Sequence, residues 1–387
     1  VRVILGSDSI RYPLTGIGRY ARSLGVGLLR SARVQSLVGF NGFRASSLSI
    51  EDLTSPLLSE ISDGQRAPWL RSLLSQQPLI VKAFALAAPV FASRALSDYQ
   101  GYVYHSPNFH LPRFNGPKIT TIHDLSYLRY PHFHPAARVN WMNKTVPDAL
   151  EKASHIIAIS KATAGDLHEL MGVPREKISV VYQGLDVAFR QGMGKLKSDP
   201  LTALGLTTQQ YFLCVSTLEP RKNIDGLLDA YLQLPKGVRN RYPLVLVGGY
   251  GWRSEATRTR VSALSSEGVR YLSYVPESTL LSVVGQAMVA VYPSHYEGFG
   301  LPVLEAQALG TPVICSDNSA LLEVANSNCL FFQSEDTACL AGHLQRSIED
   351  AAWRQRCSTQ GRVRAAEFTW DKCVASTLSI YEKALNA

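Results

Sequence analysis

The sequence predicts an α/β protein made of two successive doubly wound units, and three observations carry that prediction. At 387 residues the chain exceeds the length over which one hydrophobic core usually grows. Short β-rich apolar runs alternate with longer helix-patterned segments, as in parallel sheets covered by helices on both faces. The alternation lapses once, after Asp186, across FRQGMGKLKSDPLTALGLTTQQ, and then restarts. The expected division is therefore a first domain over 1–190, a second over 205–367 and a closing helix over 368–387.

In chain order, the first half reads as the strand VRVILG, a helix from about Gly18, the strand KITTIHD, a helix from Trp141 to Lys152, HIIAIS, a helix from Lys161, and ISVVYQG. The second half reads as YFLCVS, a helix from Asn223, YPLVLVGG, a helix from Glu255 to Glu267, VRYLSYV, a helix from Ser278, VAVYPS, a helix from Leu301, PVICSD and CLFF. Trp370, Leu378 and Tyr381 recur at helical spacing in the last stretch, which predicts a packed terminal helix. In such sheets ligands bind at the carboxyl ends of the strands, so the residues just after each apolar run matter most.

Net charge is +8, and its distribution is uneven: residues 1–190 carry 21 Lys and Arg against 13 Asp and Glu, the remainder 18 against 18. A basic first half suits an anionic partner such as a membrane surface or a diphosphate-linked substrate, and an ordinary solvated surface explains it equally. All six cysteines lie in the second half without a Cys-x-x-Cys pair, as expected of reduced thiols in a cytoplasmic protein. VRVILGSDS opens directly as a strand, with no leader pattern. AFALAAPVFAS is eleven residues long and holds Pro89, too short to span a bilayer. Membrane contact is therefore expected to be peripheral, at most at the inner face of the cytoplasmic membrane.

The segment HYEGFGLPVLEAQALGTPV sets Glu297 and Glu305 eight positions apart around a glycine-rich turn. Pro302 fits the start of a helix and Gly310 its end. The backbone amides of Gly298, Phe299, Gly300, Leu301 and Val303 then lie at a positive helix end suited to a phosphate. A carboxylate is repelled by a diphosphate, so the two glutamates are better aimed at hydroxyl groups, although two surface glutamates at a helix start would look the same. STLEPRKN places Arg221 and Lys222 after a strand, where cations can neutralise a diphosphate leaving group. No Asp-x-Asp occurs, so no metal site is expected. PLTGIGRY sets Gly16 and Gly18 before the first helix, allowing close approach of a ligand, but it is not Gly-x-Gly-x-x-Gly and argues against a nicotinamide dehydrogenase. KITTIHDL leaves His123 at the end of a buried strand, free to meet a sugar hydroxyl or to stabilise a transition state, with Asp124 able to orient it.

Taken together, TGIGRY, TIHDL, HIIAIS, VVYQGLD, STLEPRKN, LVLVGGYGW, YVPESTLLSVV, the Glu-x7-Glu segment and FTW resemble the retaining GT-B glycosyltransferases of family four over nearly the whole chain. The resemblance implies two Rossmann-like domains facing across a cleft, with the terminal helix closing back. The second domain would hold a nucleotide-sugar and the first the acceptor. It implies that Glu297 contacts donor sugar hydroxyls, Lys222 the diphosphate, Glu305 the ribose and Val275 the base. Gly16 and Gly18 would approach the diphosphate, and His123 would lie beside the transferring sugar. Where many members carry an arginine six residues before the lysine this chain has Ser216, which leaves Arg221 either replacing that charge or uninvolved.

Among subgroups the motifs look most like bacterial mannosyltransferases that build lipopolysaccharide O-antigen from GDP-mannose. That implies transfer with retention, without a metal, onto a lipid-linked or polysaccharide acceptor, and no nucleic-acid partner. The alternatives are a transferase using UDP-glucose or UDP-N-acetylglucosamine, and a nucleotide-sugar epimerase on the same scaffold.

Overall fold

The computed structural model describes residues 1–10, 14–54, 91–192 and 200–386. Two sheets organise them. The first contains β1 (Arg2–Gly6), β2 (Ser36–Phe40), β3 (Ala45–Ser47), β4 (Val103–Ser106), β5 (Lys118–Ile122), β6 (His155–Ala158) and β7 (Ile178–Val180), in the order β3-β2-β1-β4-β5-β6-β7. Only the β2–β3 pair is antiparallel. The second contains β8 (Phe212–Val215), β9 (Leu244–Val247), β10 (Val269–Tyr271), β11 (Val289–Tyr292), β12 (Val313–Ser316) and β13 (Leu330–Phe332), in the order β10-β9-β8-β11-β12-β13, all parallel. Strand order reverses between β1 and β4 and between β8 and β11, the positions where open parallel sheets form a ligand crevice.

The second sheet is apolar on both faces because successive side chains of a strand point in opposite directions. Leu213, Val245 and Ala290 enter one buried cluster, and their neighbours Phe212, Leu244 and Val291 enter another. All six of these strands coincide with apolar runs read from the sequence. In the first sheet β2, β3 and β4 are additions to that reading. Strand β4, VYHS, is buried throughout yet polar in composition. The fully buried His105 ring meets the Tyr381 hydroxyl at Nδ1 and Thr121 Oγ1, 2.8 Å away, at Nε2. Strand β3 is a short, largely exposed edge with no apolar pattern.

The terminal helix Trp370–Asn386 returns to the first sheet, packing Cys373, Val374, Leu378 and Tyr381 against Val3, Leu5, Tyr20 and Leu24. Where the chain passes between the sheets, Leu185 N–H donates to the Phe368 carbonyl at 3.1 Å. A Cβ on Gly184 would stand 2.2 Å from Trp370 N, so only glycine permits this approach. The stretch read as a linker begins with a helix, Val187–Gln191, and its residues 193–199 lie outside the described residues. Most of AFALAAPVFAS, residues 83–90, also lies outside them. All six cysteines are free thiols, and among the described residues no helix is long and apolar enough to cross a membrane.

Candidate functional site

Strand β11 ends at Tyr292, a turn follows, and the helix Leu301–Leu309 begins with Pro302 in its first turn. Gly300 (φ +111°) and Gly310 (φ +80°) bracket that helix in conformations that side chains disfavour. One expected anion donor is corrected here. Val303 N–H donates to the Gly300 carbonyl at 3.0 Å, closing the first helical turn, so its amide is not free to point at a phosphate.

Glu297, in the turn, is nearly enclosed by three donors: Lys222 Nζ at 2.6 Å, Ser294 Oγ at 2.7 Å and Arg221 Nη1 at 2.9 Å. Burial would raise its pKa, but Lys222 and Arg221 outweigh burial and hold it at about 2. Glu297 is therefore ionised at neutral pH. Arg221 also donates to the Tyr296 carbonyl at 2.9 Å and to Glu219 at 2.7 Å. Burial opposes its charge, but Glu297, Asp124 and Glu219 raise its pKa. This geometry makes Arg221 a brace between two glutamates, while Lys222 is anchored by Glu297.

The first sheet presents its own strand end to this turn. His123 follows β5 and its Nε2 lies 2.8 Å from the Pro107 carbonyl, so Nε2 carries the proton and Nδ1 remains an acceptor. Burial lowers its pKa against the opposing pull of the Pro107 bond and Asp124, which keeps the ring neutral near pH 7. Tyr20 packs edge-on to it, with centroids 5.0 Å apart. Asp124 Oδ1 accepts from Ser126 Oγ at 2.6 Å and Ser126 N–H at 2.9 Å. Burial raises its pKa, but Arg221 and Ser126 pull it lower still. A Cβ on Gly298 would lie 1.9 Å from the His123 carbonyl, and the Gly298 carbonyl accepts from Ser160 Oγ at 2.6 Å. The turn therefore docks by its backbone against the end of β5.

Glu305 sits one turn into its helix and is 7% exposed. Burial pushes its pKa up to about 7, with Asp186 and Glu277 adding to the rise and Arg19 opposing it. Arg19 Nη1 stands 4.0 Å away, reaching over from the helix Gly16–Arg30. Thr15 caps that helix by accepting from Gly18 N–H, and Gly16 and Gly18 form its first turn. A Cβ on Gly18 would meet the Ser9 carbonyl at 2.6 Å, whereas Gly16 has open space around it. Val275 packs half-buried at the edge of the core that also holds Phe299 and Leu301.

The residues that sequence reasoning missed are the supports. Ser294, Glu219 and Arg19 hold the three expected site residues from outside the motifs' central positions. Tyr296 ties the units by donating to Asp166 at 2.6 Å, and Trp252 Nε1 donates to the Phe133 carbonyl at 2.8 Å. Glu323 accepts from Lys161 N–H and Ala162 N–H, at 2.8 and 3.1 Å, capping the helix Lys161–Met171 of the other unit. Ser294, Glu219, Tyr296 and Trp252 lie inside the motif segments, which was the available signal. Arg19 likewise lies inside TGIGRY, whereas Glu323 lies in none of the quoted segments.

Two openings flank Glu297. One is a cleft of about 540 Å³ lined by Ser294, His295, Tyr296 and Asp166. The other is a small recess that places Ser216 beside Lys222, Gly300 and Leu321. A further groove of about 690 Å³ lies between the first and last helices, where Arg22, Arg30 and Arg190 are interspersed with Asp186, Glu277 and Asp371; it is not lined by Glu297, Lys222 or His123.

Two family models match the chain: Glycosyltransferase Family 4 over residues 15–189 and Glycosyl transferases group 1 over residues 203–364. O-antigen chain mannosyltransferase B of Escherichia coli is 35% identical over 384 residues, spanning 99% of this chain and 100% of that one. Among solved structures, sucrose-phosphate synthase from Thermosynechococcus elongatus superposes with a TM-score of 0.70 at 21% identity, covering 99% of this chain and 98% of the other. Anabaena Alr3699/HepE in complex with UDP gives 0.66 at 18%, covering 98% and 99%. Both share the two-unit fold.

Proposed function

The chain belongs to the family 4 glycosyltransferases and has their GT-B fold, and on that premise we propose that it transfers mannose from GDP-mannose to a lipid-linked or polysaccharide acceptor of O-antigen type. The proposed transfer retains configuration at the anomeric carbon and uses no metal ion. The sugar and the acceptor class rest on the full-length similarity to the Escherichia coli mannosyltransferase.

One observation carries the chemistry: Glu297, ionised and clamped by Lys222 at 2.6 Å, directly precedes Gly298, whose backbone is docked against the end of β5 that bears His123. When donor binds, the diphosphate draws Lys222 from Glu297, and the released carboxylate oxygen accepts from a sugar hydroxyl. Arg221 keeps the other oxygen fixed, so the carboxylate stays oriented through the exchange. His123 Nδ1 accepts from a second hydroxyl, and Glu305 holds the ribose. Amides of the Gly298–Leu301 turn meet the sugar and diphosphate, Gly16 and Gly18 admit the diphosphate to the first unit, and the backbone at Val275 meets the base.

As the anomeric C–O bond breaks, its electron pair goes to the diphosphate, where Lys222 and the helix start stabilise the charge. The acceptor oxygen attacks from the same face and gives its proton to the departing phosphate oxygen. Asp124, held by Ser126, keeps negative charge near the cationic transition state.

The basic first half supports a further part of the reading, in which the protein works at an anionic membrane surface on the cytoplasmic side. The test is a thermal-shift panel of GDP-mannose, UDP-glucose, UDP-N-acetylglucosamine and dTDP-sugars, with and without EDTA. A donor at about 100 times its Kd stabilises by roughly 2.7 kcal/mol. GDP-mannose alone should do so, unaffected by EDTA. Stabilisation by a UDP-sugar instead would replace the donor assignment.

A further inference from the structure

The residues on either side of Glu297 are held by the other unit, and both holds come from one face of one helix. Ser160, Thr163 and Asp166 are buried and stand three positions apart at the start of the helix Lys161–Met171, so they line up along one side of it. Ser160 Oγ at 2.6 Å and Thr163 Oγ1 at 3.2 Å donate to the Gly298 carbonyl. Asp166 Oδ2 accepts from the Tyr296 hydroxyl at 2.6 Å. We propose that Tyr296 and Asp166 are positioning residues, whose hydrogen bond fixes the turn so that Glu297 is oriented for the sugar only while the two units are engaged. That role rests on the transferase reading; the clamp on the turn does not.

Both ends of Tyr296 are fixed. Arg129 Nε and Nη2 donate to Asp166 Oδ1 at 2.9 and 2.7 Å, which holds the carboxylate within its own unit and leaves Oδ2 for the hydroxyl of the other. The Tyr296 hydroxyl also accepts from Leu125 N–H at 3.3 Å, in the loop that carries His123 and Asp124. Burial, then Asp124 and Asp166, raise its pKa, so the hydroxyl keeps its proton and remains a donor. At the other end, the Tyr296 carbonyl accepts from Arg221 Nη1 at 2.9 Å, and the same nitrogen donates to Glu297 Oε2 at 2.9 Å. A rotation of the Tyr296 backbone therefore displaces the group that holds the Glu297 carboxylate.

Position separates this role from plain docking. The units have other ties, from Trp252 to the Phe133 carbonyl and from Glu323 to the amides of Lys161 and Ala162. Those contacts lie away from Glu297, whereas the bonds to Tyr296 and Gly298 bracket it within three residues. Losing the Tyr296 hydroxyl should loosen the turn and leave the units together.

The test uses Tyr296→Phe, which deletes one oxygen and keeps the ring, Asp166→Asn, which keeps the shape and removes the charge, and the double variant. With GDP-mannose as donor, kcat should fall about thirtyfold in each single variant, while GDP affinity measured by calorimetry stays within about twofold of the wild type. Because the two groups act as one pair, the double variant should fall no further than the slower single variant. Hydrogen exchange followed by mass spectrometry reads the turn without any turnover. Amides of residues 295–301 and of Leu125 should exchange about tenfold faster in the variants, and those of residues 132–134 and 252–253 should be unchanged, which also reports that each variant is folded. Unchanged kcat and exchange, losses that multiply in the double variant, or faster exchange that spreads to the Trp252 contact would overturn the proposal. Faster exchange confined to the turn, in a protein that transfers sugar from no nucleotide donor, would leave the clamp standing and sink the transferase reading.

Discussion

Replacing Glu297 with glutamine removes one negative charge and almost no volume, so its effect isolates the electrostatics of the site. A folded-state pKa of about 2, against an ordinary 4.5, corresponds to about 3 kcal/mol of stability at pH 7. The sign follows from the depressed pKa: this contribution is complete above about pH 4.5 and is lost as pH falls toward 2. A second argument gives a similar size. Breaking a buried ion pair by removing one partner costs about 3–5 kcal/mol, here reduced because Arg221 keeps Glu219 and the Tyr296 carbonyl. Urea unfolding at pH 7, repeated at several values down to pH 3, measures the difference between the two proteins. The difference should be about 3 kcal/mol at pH 7 and should shrink steadily below pH 4.5. A difference under about 1 kcal/mol, or one that does not change with pH, would refute the clamped-carboxylate account.

Glu305 has the opposite signature. Its pKa near 7 means that stability is lost as pH rises from about 4.5 to 7, so Glu305→Gln should stabilise the free protein at pH 8 in the same unfolding assay. If its ionised form receives ribose hydroxyls, nucleotide affinity measured by calorimetry should rise with pH up to about 7, and the glutamine variant should lose that dependence. Gly298→Ala places a methyl group 1.9 Å from the His123 carbonyl and should separate the two units. The expected result is a larger radius of gyration in solution scattering and turnover reduced by about a hundredfold, with the helix content intact. Lys222→Ala and His123→Ala should each lower turnover by two or more decades, about 3 kcal/mol of barrier, in a donor-consumption assay.

The strands of the second sheet were legible because parallel strands buried on both faces are continuous apolar runs, as FLCV and VICS are. Strand β4 was not, because His105 and Ser106 are buried through specific hydrogen bonds that have no local pattern. The site divides in the same way. Glu297, Glu305 and the glycines around them belong to one segment whose helix start and stop are local, so their spacing could be read directly. The pairing of Lys222 with Glu297 joins residues 75 positions apart, and the Ser160 bond to Gly298 joins the two units. Such contacts are set by sheet order and docking, which composition and spacing do not encode. The same holds for Arg221: the sequence left it between phosphate ligand and bystander, and its bonds to Glu219 and Glu297 make it a brace.

The most direct test of the account is the product itself. Incubated with GDP-α-mannose and a mannotriose or lipid-linked acceptor, the protein should release GDP and form a new α-mannoside, read from the anomeric proton and its C–H coupling by NMR. A β-linked product, or transfer only from a UDP-sugar, would contradict it.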